Sequence, residues 1–458
     1  MKIAVFCATV LTAAMALPAW AQTQPDGKTI EGDEANQPSP TPPAKVVQPL
    51  SAPYKRYDAL AMKGWERPLP STADTVLGDR FGVRDTLADA GIGVQGLLTA
   101  GFQTHLADGT RGYSGPQIYN AQKFTRTNTS QTLFVTYDLG KVGLDGGQLI
   151  FSGINMSNGF NRVNGPNSTR VARLAYFQSL FDKKVQFKIG IFDNGFEFMG
   201  TQVGGSFAGG ALGPQASIPN QVGMSYMGFA SPSANVRVNF ANHVYTKVGI
   251  QRSFPPGAAP AEARYNHDGL RFSVPGTGAL LIDEVGMDRP ASAGTKAMWI
   301  RAGGMFNTTD FPKFDGGVSK SNWAGYLAVD RQLTQISATQ PGRGLYVGGT
   351  VNYAPPAQNF ITQYYEARVY GVGLLPSRPF DLASVIVNSN VYSGDGLLAR
   401  TPATADNYKA TFSVIAGYAY RLAPGLYAQP GVGAVVHPVY SPRFGTSFNA
   451  YLNLSVFL

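Results

Sequence analysis

The end of the chain, Phe448-Asn449-Ala450-Tyr451-Leu452-Asn453-Leu454-Ser455-Val456-Phe457-Leu458, decides the class of fold. Apolar and polar residues alternate along it, which is the period of a β-strand whose two faces meet different surroundings. One face is apolar throughout and consists of Phe448, Ala450, Leu452, Leu454, Val456 and Leu458. The opposite face carries the polar residues Asn449, Asn453 and Ser455. A chain that ends on such a strand is typical of outer-membrane β-barrels, so we expect residues 448–458 to bind the barrel-insertion machinery. The last position holds Leu458, while Phe457 lies out of phase.

The same alternation recurs upstream of this strand. In Val185–Ile191, the apolar residues fall on one face and Gln186 and Lys188 fall on the other. Further segments of this period are residues 236–240, 244–248, 298–302, 345–352 and 411–418. Aromatic residues cluster near segment ends, at 364–365, 418–420 and 451, where membrane barrels carry aromatic girdles. The pattern predicts an all-β, antiparallel transmembrane barrel of about 16 strands, with 18 as second choice, because bacterial barrels favour even numbers.

The composition supports a barrel over a helical membrane protein. Charged residues make up only 14% of the chain and Gly occurs 54 times, while mean hydropathy is near zero, at −0.08. After the N-terminus, no apolar run reaches the length of a transmembrane helix, about 18 residues. The net charge of +9 is scattered, without the basic runs typical of nucleic-acid binding. This excess is compatible with a pore that favours anions and equally with basic loops.

The N-terminus predicts export. Lys2 precedes an apolar stretch over residues 3–17, and Ala19-Trp20-Ala21 has the pattern of a signal-peptidase site, so residues 1–21 are interpreted as a cleaved signal peptide. Its removal would take away Cys7, the only cysteine. Residues 22–75 are Pro- and Gln-rich and are expected to form a disordered periplasmic extension. The barrel domain is assigned to residues 76–458, in the outer membrane of a Gram-negative cell.

A short periplasmic helix is expected just before the first strand. Residues 84–90 are compatible with a helix, and Gly91 stands where a left-handed C-terminal cap would end it. Strand patterning begins directly after this glycine.

Four stretches, in this order, resemble the carbohydrate-selective porin family typified by OprB. The first is Leu77–Ile92, which contains Gly78-Asp79-Arg80-Phe81-Gly82-Val83-Arg84, and the second is Gly325–Leu333, which contains Asp330-Arg331-Gln332-Leu333. The third is Gly344–Asp381, which ends in Gly373-Leu374-Leu375-Pro376-Ser377-Arg378-Pro379-Phe380-Asp381. The fourth is Leu426–Ala450, which begins with Leu426-Tyr427-Ala428-Gln429-Pro430. Phe81 and Val83 stand where the family has Trp and Gly. No carboxylate precedes Tyr418, where family members commonly carry a Glu.

The resemblance covers residues 76–458 and implies a sixteen-stranded barrel with loops folded into the lumen. It further implies facilitated diffusion of monosaccharides, with partial selectivity from charged and aromatic residues at a constriction. Small sugars or sugar acids, and membrane lipid outside the barrel, are the partners expected of such a channel. The oligomeric state stays open between a monomer and a trimer.

Candidate solute-binding residues are the charged residues in polar phase within strands. A charge facing lipid near the midplane would cost about 2–4 kcal/mol, so these side chains are expected to face the lumen. They are Lys188, Arg237, Lys247, Arg301, Asp330, Glu366 and Arg368. Glu366 and Arg368 are two residues apart and share one face, which makes them the preferred couple. Arg378 and Asp381 match the family's R-x-x-D and are read either as solute contacts or as part of a turn. Each of the others could equally be a solvated wall charge or half of an ion pair.

Signals for catalysis are absent from the sequence. The four histidines show no metal-ligand spacing, and neither a G-x-S-x-G nor a phosphate-binding loop motif occurs. We therefore expect no enzyme activity, cofactor, metal or nucleic-acid partner. Alternatives to a sugar porin are a general or anion-leaning porin for sugar acids, an outer-membrane enzyme, and a secreted β-protein such as a lectin.

Overall fold

The computed structural model describes residues 52–66, 69–80, 82–107, 125–158, 167–198, 217–226, 228–256, 258–400 and 407–458. In this part of the chain, sixteen strands form one closed antiparallel barrel, as predicted. They are β1 Ile92–His105, β2 Thr125–Asp138, β3 Gly147–Asn158, β4 Ser168–Leu180, β5 Val185–Phe192, β6 Ser231–Asn239, β7 Val244–Arg252, β8 Ala279–Arg289, β9 Met298–Asn307, β12 Asn322–Gln332, β13 Gly344–Tyr353, β14 Ile361–Val372, β15 Leu382–Tyr392, β16 Ala410–Ala423, β17 Leu426–Val436 and β18 Ser447–Phe457. Between β9 and β12, the short strands β10 (Phe311–Pro312) and β11 (Val318–Ser319) form a separate hairpin.

The C-terminal strand closes the barrel by pairing with the first. β18 pairs with β17 on one side and with β1 on the other, in a register that runs from Leu97 opposite Phe457 to His105 opposite Asn449. The outer residue Phe448 is 45% exposed, whereas the inner residue Asn449 is buried. Phe457 points inward and packs edge-on against the Tyr427 ring, with 6.0 Å between centroids. Its displacement from the apolar face therefore reflects a packing role inside the barrel.

Each strand separates an apolar outer face from a largely polar inner face. The outer positions Ile189, Val236 and Val248 are exposed, as expected of side chains that contact lipid. The alternate positions Lys188 and Lys247 are buried inside. The two faces predicted for residues 185–191, 236–240, 244–248, 298–302, 345–352 and 411–418 agree with this arrangement.

The orientation follows from the connections. The longest ones, β5–β6 and β7–β8, lie at the end opposite to Ile92 and Phe457. Outer-membrane barrels have short periplasmic turns and longer extracellular loops. The end where β1 begins and β18 ends therefore faces the periplasm. The Gly204–Gly210 segment of the β5–β6 connection lies outside the described residues.

The helices are short and lie between strands or before β1. They are α1 Ala52–Ala59, α2 Val83–Asp89, α3 Ser217–Gln221, α4 Ala258–Tyr265 and α5 Gly394–Arg400. Helix α2 is the predicted periplasmic helix, and Gly91 follows it with a φ of +77°, the left-handed conformation that ends many helices. Among the described residues, none of the helices combines the length and apolarity needed to cross a membrane.

The predicted disorder of residues 22–75 is wrong for the part that the structure describes. Residues 52–66 and 69–75 include α1 and a 3-10 turn at Thr72–Asp74. Tyr57 on α1 is buried and donates its hydroxyl to Asp79 at 2.7 Å, before α2. The Pro-rich composition suggested a chain without a core, but this part contains large apolar side chains, including Met62 and Trp65, that pack against the barrel. Residues 1–51, with the predicted signal peptide, lie outside the described residues.

Candidate functional site

The seven predicted lumenal residues that lie within strands all face the barrel interior. Six are buried and only Arg237 is partly exposed; the buried ones are Lys188, Lys247, Arg301, Asp330, Glu366 and Arg368. Their phase in the strands is opposite to that of the exposed apolar residues, so none contacts lipid. Most of these side chains belong to two charged clusters. A loop that folds into the lumen contacts two of them, Lys188 and Lys247.

The Arg368 cluster unites three of the predicted residues across β12 and β14. The guanidinium of Arg368 donates from Nε to Asp330 Oδ1 at 2.8 Å and from Nη2 to Oδ2 at 2.7 Å. Its Nη1 donates to Glu366 Oε1 at 2.5 Å. The fork of Arg368 is thus held by two carboxylates in charge-assisted hydrogen bonds, the strong class of such bonds. The predicted Glu366–Arg368 couple is brought together, with Asp330 as a third member.

A glycine between the two strands makes this cluster possible. In the sheet register, Gly348 on β13 lies opposite Asp330 on one side and opposite Arg368 on the other. A Cβ at Gly348 would lie 2.4 Å from Asp330 Oδ1 and 2.7 Å from Arg368 Nε. Because Gly348 lacks a side chain, the ion pair can cross over its strand.

The Glu284 cluster lies on β7, β8, β9 and β12. Glu284 accepts hydrogen bonds from the hydroxyls of Tyr326 at 2.6 Å and Tyr245 at 2.9 Å. Lys247 Nζ lies 3.5 Å from its Oε1, and Arg301 Nε lies 4.0 Å from its Oε2. Two predicted cations therefore surround a carboxylate that the sequence reasoning missed.

Arg301 is the least satisfied cation of this cluster. Its side chain is 1% exposed and its guanidinium lies over the Trp299 ring, 3.3 Å from the centroid. None of its three guanidinium nitrogens has a hydrogen-bond partner within the described part of the chain. A buried guanidinium with spare donors is able to bind an acceptor-rich group that reaches it.

The β5–β6 connection folds into the lumen; it is called the constriction loop below, and its residues 193–198, 217–226 and 228–230 are described. Val222 packs against the inner face of β8 at Leu280 and Ile282. Across the barrel, Gln221 Nε2 donates to the Ile361 carbonyl and Gln221 Oε1 accepts from the Ile361 amide, both at 2.8 Å. The loop therefore spans the lumen from β5 to β14, which agrees with the lumen-folded loops that the resemblance implied.

The constriction loop also engages the remaining predicted lysines. Lys188 Nζ donates to Glu197 Oε1 at 2.5 Å, and Asn235 Nδ2 donates to Glu197 Oε2 at 3.0 Å. Lys247 donates to the Glu197 backbone carbonyl. Glu197 thus connects the loop to β5, β6 and β7, and it is a second carboxylate that the sequence reasoning missed.

Lys247 has another partner outside the strands. Glu66, in the N-terminal segment, accepts a hydrogen bond from Lys247 Nζ at 2.9 Å, and both side chains are nearly inaccessible. Burial raises the pKa of the Glu66 carboxyl above its ordinary value; Glu284 acts in the same direction, whereas Lys247 and Arg301 oppose the rise. Arg237 lies beside the Glu284 cluster, where it stacks on Tyr245 with its Cζ 3.8 Å from the ring centroid.

The predicted pair Arg378 and Asp381 lies in the periplasmic turn between β14 and β15. Arg378 Nε donates to Asp381 Oδ2 at 2.8 Å, and this bond raises the pKa of the guanidinium. Asp381 also accepts from the Tyr418 hydroxyl at 2.8 Å and from the Arg421 amide at 3.0 Å. These contacts connect the β14–β15 turn to the periplasmic end of β16. They place the pair away from the two lumenal clusters.

The residues that sequence reasoning missed carry only a weak signal. Glu284 lies on the same face of its strand as Leu280 and Ile282, so that face looks apolar in the sequence. Those two residues face inward because the constriction loop packs on them.

Among the described residues, no group of three His, Cys, Asp or Glu side chains is arranged to hold a metal ion.

Comparison with known proteins agrees with this architecture. The family model described as "Carbohydrate-selective porin, OprB family" matches residues 135–451. The high-pH structure of Pseudomonas putida OprB superposes with a TM-score of 0.66 at 16% identity, covering 87% of this chain and 99% of that one. Its low-pH structure gives a TM-score of 0.53 at 13% identity, covering 85% and 100%.

A more distant structural likeness is also found. Salmonella typhi OmpF, in complex with daunomycin, gives a TM-score of 0.51 at 8% identity, covering 81% of this chain and 99% of that one. No curated protein sequence matches this chain. The structural likenesses show a shared fold, and the family model extends over most of the chain. The chain is therefore an outer-membrane β-barrel and belongs to the OprB family of carbohydrate-selective porins.

Proposed function

We propose that this porin passes monosaccharides by diffusion through its lumen and performs no catalysis. The observation that carries the proposal is the inner wall, where forked cations and carboxylates alternate with Tyr hydroxyls in the Arg368 and Glu284 clusters. A sugar channel needs several weak hydrogen-bonding contacts, because binding must assist uptake and still allow release. Guanidinium and carboxylate groups suit paired hydroxyls, since each offers two coplanar donors or acceptors.

A specific observation favours a second candidate, an anion-leaning channel for sugar acids. Arg301 has spare donors on a buried guanidinium, and the nearest carboxylate oxygen, Glu284 Oε2, is 4.0 Å away. A carboxylate-bearing solute would complement it better than a neutral hydroxyl, since hydrogen bonds between charged partners are the stronger ones. The excess of basic residues in the whole chain acts in the same direction.

Planar-bilayer recording separates these candidates. The purified protein is reconstituted, and glucose and then gluconate are added to the same channels. If glucose reduces the conductance steps more than gluconate does, the result supports the neutral-sugar channel. If gluconate reduces them more, it supports the sugar-acid channel. Absence of steps from a barrel that is folded and heat-modifiable on a gel would refute transport altogether.

The role of the Arg368 cluster is tested by comparing two arginines. Arg368→Ala removes a cation from the lumen, and Arg378→Ala removes one from the β14–β15 turn, where its partner is also an aspartate. We expect Arg368→Ala to change conductance and the glucose effect, while Arg378→Ala leaves both near the wild-type values. Equal behaviour of the two variants would remove Arg368 from the solute pathway.

We further propose that residues 1–21 are a cleaved signal peptide, that residues 22–75 precede a barrel domain at 76–458, and that residues 448–458 are recognised by the insertion machinery. Amino-terminal sequencing of the protein from outer membranes of a Gram-negative host tests the first point, with Gln22 as the expected start. Size measurement in mild detergent decides between a monomer and a trimer.

A further inference from the structure

The N-terminal segment enters the barrel from the periplasmic end. Residues 60–66, here called the strap, begin among the first strands, where Gln148 Nε2 donates to the Leu60 carbonyl at 3.2 Å and the Ala61 carbonyl at 3.1 Å. The Lys63 amide donates back to Gln148 Oε1 at 3.1 Å. The inner face of β3 therefore holds the first half of the strap by its backbone.

The second half reaches the constriction loop. The Glu66 amide donates to the Phe196 carbonyl at 3.1 Å. Trp65 packs on Phe196, with 5.0 Å between ring centroids, and on Phe134 of β2, with 5.6 Å. Arg173 of β4 places its guanidinium 4.4 Å from the centroid of the Trp65 ring. The strap is thus packed against both the barrel wall and the constriction loop.

The chain beyond the strap is anchored at the barrel seam. Asp74 accepts from Arg421 Nε at 2.8 Å and from the Gly425 amide at 3.0 Å, and it also accepts from the Tyr427 hydroxyl. The Val76 amide donates to the Phe457 carbonyl at 2.9 Å. The chain is thus fixed to β3 where the strap begins and to the late strands at residues 74–76. The strap between them therefore lies across the periplasmic half of the lumen.

The strap forms one wall of a large cavity. This cavity has a volume of about 910 Å³ and is lined on one side by Lys63, Gly64 and Trp65 of the strap. Its other side is formed by the inner faces of β5, β6 and β7, including Lys188, Arg237 and Lys247, and it extends to the β4–β5 turn at the periplasmic rim. Any solute that uses this cavity passes along the strap.

We propose that residues 60–66 line the solute pathway and set the width and charge of its periplasmic half, with the Glu66–Lys247 ion pair holding the strap in place. The proposal rests on the channel function proposed above. The ligands it concerns are small polar solutes and ions in transit. The strap contributes one basic, one aromatic and one acidic residue, Lys63, Trp65 and Glu66, to a lumen otherwise built from strands and the constriction loop.

Cysteine accessibility tests the position of the strap. The chain has one cysteine, Cys7, which lies in the predicted signal peptide. Lys63→Cys places a thiol beside the cavity, and Lys55→Cys, on an exposed position of α1, is the matched control. A charged methanethiosulfonate reagent added to conducting channels should change the single-channel current of Lys63→Cys and leave that of Lys55→Cys unchanged.

The ion pair is tested by Glu66→Gln, which keeps the shape of the side chain and removes its charge. We expect higher conductance than wild type, because a released strap occupies less of the lumen. Asp310→Asn, which breaks the exposed Lys320–Asp310 pair at 2.7 Å, is the matched control and should conduct as wild type.

The outcomes distinguish this inference from the channel function itself. Wild-type channels that conduct, together with Lys63→Cys that is insensitive to reagent from both sides, would overturn the strap proposal and leave the porin intact. Failure of the wild type to conduct would instead refute the channel. Heat-modifiable gel mobility confirms that each variant is folded, and Glu66→Gln gives a second test if Lys63→Cys does not insert.

Discussion

Replacing Gly348 by alanine tests whether the Arg368 cluster depends on an absent side chain. The added methyl carbon would lie 2.4 Å from Asp330 Oδ1, 2.7 Å from Arg368 Nε and 2.7 Å from the Val329 carbonyl oxygen. All three distances are shorter than real contacts of a Cβ allow. The carbonyl belongs to the backbone of β12, so side-chain rotation alone cannot relieve the overlap.

The expected cost has two parts. Forcing an extra carbon into a packed site typically costs about 1–3 kcal/mol. Separation of Asp330 from Arg368 loses at least one hydrogen bond between charged groups, about 1.5–3 kcal/mol. We therefore expect Gly348→Ala to lower the free energy of unfolding by about 2.5–6 kcal/mol, and to alter the glucose effect on conductance because the guanidinium is displaced.

Urea unfolding in detergent, followed by gel mobility, measures the first effect, and bilayer recording measures the second. Gly325→Ala on β12 is the control, since its Cβ would meet only the Gly303 carbonyl oxygen, at an ordinary 3.7 Å. If Gly348→Ala unfolds and conducts like Gly325→Ala, the ion pair does not require the glycine and the reasoning from the register is wrong.

Three further predictions concern residues outside the strands. Asp74→Asn removes the negative charge that lies 2.7 Å from the Arg421 guanidinium. Urea unfolding should show a free energy of unfolding lower by about 1.5–3 kcal/mol. An unchanged unfolding midpoint would argue that Asp74 does not anchor the segment. Gly91→Ala should lower the free energy of unfolding by about 1–2 kcal/mol, because Gly91 has a left-handed φ of +77°. Gly91→Asn should lower it less, since Asn adopts this conformation more readily. Equal losses in the two variants would contradict the left-handed backbone as the cause. Since burial raises the pKa of Glu66, protonation on acidification breaks its pair with Lys247 at a higher pH than for an exposed carboxyl. Conductance should then rise as pH falls below neutral, and a rise of the same size in Glu66→Gln would refute the assignment.

Much of the fold could be predicted from the sequence because the membrane imposes period two on every strand. The polar phase of Lys188 or Arg301 was enough to place each of them inside, since the alternative was a charge in lipid. The closure by β18 followed from its unbroken apolar face. The ordered strap could not be predicted in this way, because its order comes from contacts with β2 and β3 and from no pattern of its own.

The site was predictable in its residue types and only partly in its partners. Glu366 and Arg368 could be paired because they are two apart on one strand. Asp330 joins them through the register of the intervening strand β13, and local spacing in the sequence does not reveal that register. Glu284 was missed because its neighbours in phase are apolar, and that face turns inward only when the constriction loop covers it.

The seam between β1 and β18 has a consequence for how this protein folds. The Asp74–Tyr427 and Val76–Phe457 contacts join residues more than 350 positions apart, and closing a flexible loop of that length costs about 5 kcal/mol in chain entropy. The Asp74–Tyr427 contact needs β17, and the Val76–Phe457 contact cannot form before β18 is in place. The chain must therefore remain open along one edge, with its lumen unsealed, through most of assembly. Anchoring of residues 74–76 is then a late event, and it requires that β17 and β18 have already joined the barrel.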